Sequence, residues 1–290
     1  MRKLIVALSS FILLFASCKE IGPQINFTNV KAVDTTYVVT PVPATDLHNA
    51  LVEEFTGQAC PNCPAAHNLL NSIVASDSGR VNVIGLYPFG SPQTVPPAGS
   101  VNDFRDSISN DIMNSFYTDF QGLPSAGIDR VPVAGMFTLF SSQWGSAINN
   151  RLNITDSLNL SLQSSYNTNS GVATITATIT YTQPVSTFQN LSIVIVEDSI
   201  TDLQEFPSGD ENYLFTDVFR TMLTSAPFGD PILPTMTAKE SGRVYRRTYT
   251  YTPKPNWVPQ HCRVIAFVNY SNFEQNKDVF QSVQTKLTGL

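Results

Sequence analysis

Cys60 and Cys63, three residues apart in the run ACPNC, are the side chains whose type and spacing suit covalent chemistry. A pair at that separation can close a disulfide, exchange it with another thiol or contribute to a metal site. The flanking residues predict how it is held. Leu51 to Phe55 suits a short strand, Thr56-Gly57-Gln58 breaks it, and Ala65 to Val74 carries apolar residues at helical spacing. Both cysteines then fall at a helix start, where unpaired N–H groups and a partial positive charge favour thiolate over thiol. Pro61 fits a first turn, since its missing N–H costs nothing there. On this geometry Cys60, ahead of the helix, is the nucleophile, and Cys63, one turn in and more buried, is the resolving thiol.

The competing chemistries are weaker. His67 lies one turn further along the same helix, so Cys60, Cys63 and His67 have the ligand types of a metal site, but a clear fourth ligand is missing and no metal is expected. Covalent haem attachment needs His directly after the second cysteine, where Pro64 stands, so no cofactor is expected either. His48 and His261 belong to no motif. Cys262 alternates with Val264, Ala266 and Val268 on one strand face, which reads as a small buried hydrophobe. No nucleophile-elbow sequence surrounds a serine, so hydrolase chemistry has no support.

The first residues set the compartment. Arg2-Lys3 followed by Leu4 to Phe15 is a basic and then apolar leader, too short to remain as a spanning helix, and it reads as an export signal over 1–17. Its end, Phe15-Ala16-Ser17-Cys18, resembles a bacterial lipobox, which makes Cys18 the lipidated mature N-terminus. The Thr-, Val- and Pro-rich stretch to Asp46 reads as a tether ending in one strand, Thr35 to Thr40. An exported compartment permits disulfides, so Cys60 and Cys63 are expected to pair. The net charge is −6, and losing Arg2 and Lys3 with the leader leaves 15 basic against 23 acidic side chains, which argues against nucleic acid as a partner.

At 290 residues, 42% of them hydrophobic, the chain is long enough for two cores. Residues 47–152 read as one α/β domain. Arg80 to Tyr87 suits a buried strand, Asp103 to Phe120 an amphipathic helix, Ala126 to Asp129 and Val133 to Phe140 further strands, and Ser142 to Leu152 a last helix. Such alternation implies a mixed sheet with helices on both faces. From Ser157 the period becomes two. Leu158 to Leu162 and Ala173 to Tyr181 form a hairpin around Asn169-Ser170-Gly171, and with Leu191 to Val196, Val244 to Thr252, Cys262 to Tyr270 and Val279 to Leu287 they imply an all-β, immunoglobulin-like sandwich over 153–290. The excursion from Thr201 to Glu240 interrupts it; Asp210 to Leu223 suggests a short helix, and a loop this long is more often functional than idle.

The strand, the Cys-x-x-Cys at a helix start and the Leu123-Pro124 dipeptide about sixty residues later resemble the thioredoxin superfamily. That resemblance implies a buried acid at Glu54, which relays protons and takes one from Cys63, and a cis-proline at Pro124 against the disulfide. The family's Trp before the first cysteine is replaced by Ala59, and its Gly-Pro between the cysteines by Pro61-Asn62. The blocks EEFTGQACPNCPAAH, GLPSAGIDR, NYLFTDVFRTMLT and NWVPQHCRVIAFV, in this order, resemble the outer membrane protein 28 related lipoproteins. Likeness to that family implies a thioredoxin-like domain joined to a C-terminal β domain and a lipid-anchored place in the outer membrane, with either membrane face open. Two functions follow: thiol–disulfide exchange with exported protein substrates, or a non-enzymatic lipoprotein that binds a surface ligand and in which the disulfide is structural.

Overall fold

The computed structural model describes residues 31–272 and 276–289. The expected signal peptide and the lipidated Cys18 lie outside the described residues. Strand β1 (Lys31–Val38) leads to β2 (Ala50–Phe55), α1 (Cys63–Ser76), β3 (Val81–Leu86), α2 (Ser107–Phe116), β4 (Ser125–Ile128) and α3 (Ser141–Leu152). Ten strands follow: β5 (Leu158–Asn167), β6 (Val172–Tyr181), β7 (Gln189–Glu197), β8 (Ile200–Phe206), β9 (Gly209–Phe215), β10 (Val218–Met222), β11 (Asp230–Pro231), β12 (Arg243–Tyr251), β13 (Cys262–Tyr270) and β14 (Val279–Lys286). The protein is mostly β, arranged in several sheets.

One large sheet runs β14-β13-β7-β10-β3-β2-β4, a second runs β1-β12-β6-β5, and β8 and β9 pair only with each other. Alternation along β2 sorts its side chains between two helical layers. Ala50 and Val52 pack with Ala66 and Leu70 of α1 and with Trp144 and Ile148 of α3. Leu51 and Phe55 point the other way, onto Ile112 and Phe116 of α2. Strand β3 lies parallel to β2, while β4 runs antiparallel on the other side. Residues 133–140 form no strand; Leu139 exchanges two backbone hydrogen bonds with Ala126 instead.

The second sheet covers one face of β7 and β13. Leu160, Ile175, Ile179, Tyr181 and Tyr249 meet Leu191, Ile193, Ile195, Val264 and Ala266 in a sandwich core. The opposite face of the same two strands, Val194, Val196, Ile265 and Phe267, belongs to the core under α2. Burial on both faces explains why these segments read as unbroken apolar runs rather than alternating ones. Cys262 lies in the sandwich core, and burial pushes its thiol up to about 12, with the Glu197 charge adding to the rise.

Two segments differ from the sequence expectation. The tether is built into the sandwich from Lys31 onward, because β1 pairs with β12 along its whole length. Asp210–Leu223 is not a helix. Its aromatic and β-branched residues form β9 and β10, with Gly209 (φ 120°) opening β9 directly after the turn. Strand β10 slots between β7 and β3, so that sheet crosses the boundary at 152/153. Its approach to β3 depends on Gly85, whose N–H donates to Asp217 O at 2.7 Å and whose missing Cβ would stand 3.0 Å from that oxygen.

A buried polar cluster ties the same boundary. His48 Nε2 lies 2.7 Å from Asp129 Oδ2 and Nδ1 lies 2.9 Å from Asp156 Oδ2. Arg151 donates to Asp129, and Gln281 donates to Asp156. Burial disfavours the imidazolium, but the hydrogen bonds to the two carboxylates outweigh it and hold His48 at about 9.

Candidate functional site

Cys60 and Cys63 form a disulfide, with Cα atoms 5.3 Å apart. Helix α1 begins at Cys63 behind an Asn62 N-cap that makes no side-chain capping bond. Pro64, rather than Pro61, occupies its first turn, and the Cys63 N–H donates to Cys60 O at 3.0 Å. Gly57 sets the loop before it, since a Cβ there would stand 2.3 Å from Gln93 O. The expected contrast in burial between the cysteines is absent: Cys60 is 0% exposed and Cys63 2%.

His67, one turn beyond Cys63, shares its buried face on α1. Its Nδ1 lies 2.9 Å from Glu54 Oε2, and its Nε2 lies 2.8 Å from Thr216 Oγ1. The Thr216 hydroxyl also donates to Asp217 Oδ2 at 2.9 Å, so it links the ring to that second carboxylate. Carboxylates thus stand on both sides of the ring, an arrangement that favours the imidazolium. Burial opposes that charge, but the Glu54 hydrogen bond and the charges of Glu54, Asp217 and Asp198 raise the His67 pKa.

Glu54 is fully buried, and its Oε1 has no hydrogen-bond partner among the described residues. Cys63 and His67 line a cavity of about 10 Å³ with Thr56, Gln204, Tyr213 and Thr216, room for roughly one water. Burial first, and then the Glu54 and Asp217 charges, push the Tyr213 hydroxyl up to about 12, so it stays a neutral donor there. On the other side of α1, the Leu123–Pro124 bond is cis, and Pro124 lines a groove of about 380 Å³ with Asn62, Ala65, Leu69 and Phe140. Pro124 thus shares a groove with Asn62, which stands between the two cysteines, and Glu54 meets α1 at His67.

Three site residues escape sequence reasoning. Gln204, Tyr213 and Thr216 come from the excursion after β7, whose signals are a length unusual for an idle loop and, for Tyr213 and Thr216, the family-like block NYLFTDVFRTMLT, neither of which points to the cysteines.

Residues 112–289 match the family described as Outer membrane protein Omp28, more than half of the chain. The chain belongs to the Omp28 family. Membership puts it in the outer membrane or the surrounding envelope. The matched span starts inside α2, so the Cys60–Cys63 turn lies ahead of it. No curated protein matches this Omp28 chain. Among solved structures, HBP35 of Porphyromonas gingivalis is similar at 13% identity and a TM-score of 0.65, over 84% of this chain and 77% of that one. Protein AGR_C_4864 from Agrobacterium tumefaciens is similar at 11% identity and a TM-score of 0.52, over 84% of this chain and 96% of that one. At such identities the likeness is one of fold alone. No helix among the described residues is long and apolar enough to cross a membrane.

Proposed function

We propose that this Omp28-family chain is a lipoprotein, anchored through Cys18, whose thioredoxin-like unit exchanges disulfides with exported proteins. The observation that carries the proposal is a disulfide at the start of α1 with His67, its pKa raised by Glu54, one turn further along the same buried face. The order β3-β2-β4, with α1 and α3 on one face and α2 on the other, supports the thioredoxin-like assignment. So does Pro124 beside the start of α1.

In the oxidised state a client thiolate attacks Cys60 Sγ; a mixed disulfide forms, the Cys60–Cys63 bond breaks, and Cys63 leaves as a thiolate. The His67 charge favours that leaving group, which then takes up a proton. A second client thiol, once deprotonated, attacks the client sulfur of the mixed disulfide and releases Cys60, which is protonated in turn. The client has then lost two hydrogens to form its disulfide, and the protein holds two thiols. The groove of Leu69, Leu123, Pro124 and Phe140, with Leu69 and Phe140 exposed, suits an extended apolar client segment.

A second function rests on the burial of both sulfurs, which favours a structural disulfide in a binding lipoprotein. Trapping separates the two. A Cys63→Ser variant expressed in the envelope should accumulate mixed disulfides through Cys60, and Cys60→Ser should accumulate few. Equal, near-zero trapping by both would leave the structural disulfide as the function of the pair.

A further inference from the structure

The β8–β9 hairpin pairs with neither large sheet, yet it is docked against the Cys60–Cys63 turn. Gln204 Nε2 donates to Cys60 O at 3.1 Å and to Gly57 O at 3.3 Å. The Glu205 N–H donates to Gln58 O at 2.7 Å. Further along β8, Asp202 accepts from the backbone N–H groups of Val101 and Asn102, at 3.0 and 2.6 Å. From β9, Phe215 packs edge-on to Phe104 with ring centroids 4.9 Å apart. These contacts close the small cavity over Cys63 and leave Gln204 buried.

The ends of the hairpin look different from its body. Ser199 and Asp217, which flank it, both have φ near 60°, a left-handed conformation that marks sharp changes of chain direction. They are held close together, since the Asp217 N–H donates to Asp198 Oδ1 and Arg263 bridges Asp198 and Asp217. Residues 208–212 at the far end are exposed. The hairpin is therefore fixed at its base, free at its tip and attached to the disulfide turn by contacts along its middle.

We infer that the β8–β9 hairpin is a lid over the Cys60–Cys63 disulfide, latched by Gln204 and Asp202, and that the disulfide reacts when the hairpin swings out about Ser199 and Asp217. The inference takes the pair as a reacting one, as proposed above. It reconciles that chemistry with sulfurs that do not reach solvent: a buried disulfide bond cannot be attacked in line until the group covering it moves. Opening also removes Thr216 and Tyr213 from the cavity, so lid position and the surroundings of His67 change together.

The rate at which dithiothreitol reduces Cys60–Cys63 in the folded protein tests the lid without any client. Gln204→Ala, which removes both side-chain bonds to the turn, should raise that rate at least tenfold, and Asp202→Ala, which frees the other anchor, should raise it as well. Unchanged rates in both variants, with their circular dichroism intact, overturn the lid. Native-state hydrogen exchange on the unaltered protein is the second measurement. Amides of 201–215 should exchange at least a hundredfold faster than those of β7 and β13; exchange at the same rate as those strands means the hairpin opens only on global unfolding and also overturns it. A lid that responds in both measurements while Cys63→Ser traps no client would stand alone, and the exchange function would fall.

Discussion

His67 is the residue on which the proposed chemistry turns. Its ring nitrogens lie 2.9 Å from Glu54 and 2.8 Å from Thr216, Glu54 favours its imidazolium, and it stands one helical turn from Cys63. A cation there stabilises the Cys63 thiolate and hence the reduced form, which makes the disulfide more oxidising. His67→Gln, which keeps a donor for Glu54, should move the reduction potential to more negative values, by about 30 mV for each tenfold loss of thiolate stabilisation; an unchanged potential would remove His67 from the mechanism. His48 gives a pH dependence of stability. It titrates near 6.5 when unfolded and at about 9 when folded. Its contribution is therefore complete below pH 6.5, declines as pH rises and is lost above about 9. The loss is on the order of 3 kcal/mol. Urea unfolding at pH 6 and pH 9.5 should show that loss in the parent and not in His48→Gln. The sequence makes Cys60 and Cys63 legible because they lie three residues apart, and Glu54 only through the resemblance to thioredoxins. The role of His48 is illegible, since its partners Asp129 and Asp156 are 81 and 108 residues away.

At the scale of elements, periodicity finds α1, α2, α3 and the β5–β6 hairpin because each has one buried face. It also finds β7 and β13, whose unbroken apolar runs reflect burial on both faces. It fails at Asp210–Leu223, where Tyr213, Phe215 and Phe219 recur at two-residue and four-residue intervals that fit either a strand or a helix. What decides the matter is tertiary: β9 finds β8, and β10 finds the gap between β7 and β3. The stretch at 133–140 fails in the opposite sense, since an apolar run gains only isolated bridges beside β4. The hairpin that closes the site thus comes from the part of the chain where local pattern is least informative.

The whole molecule is joined more tightly than composition suggests. Two regions of different period are legible on either side of 152/153, but strand β10 makes them one sheet, and residues of both share the core under α2. The two tryptophans report this directly. Trp144 is in the core under α1 and α3, and Trp257 is in the sandwich core. Single-tryptophan variants Trp257→Phe and Trp144→Phe should unfold in urea with coincident midpoints by fluorescence; well-separated midpoints would show two independent units. Integration of this kind places a strand pair from the β region over a cysteine pair in the α/β region, so that access to the disulfide is a property of the whole fold. The central claim, that this disulfide exchanges with exported proteins, is tested most directly by its equilibrium with glutathione at pH 7. The account predicts a reduction potential above about −230 mV, in the range of exchanging pairs, and a potential below about −300 mV, where structural disulfides lie, would contradict it.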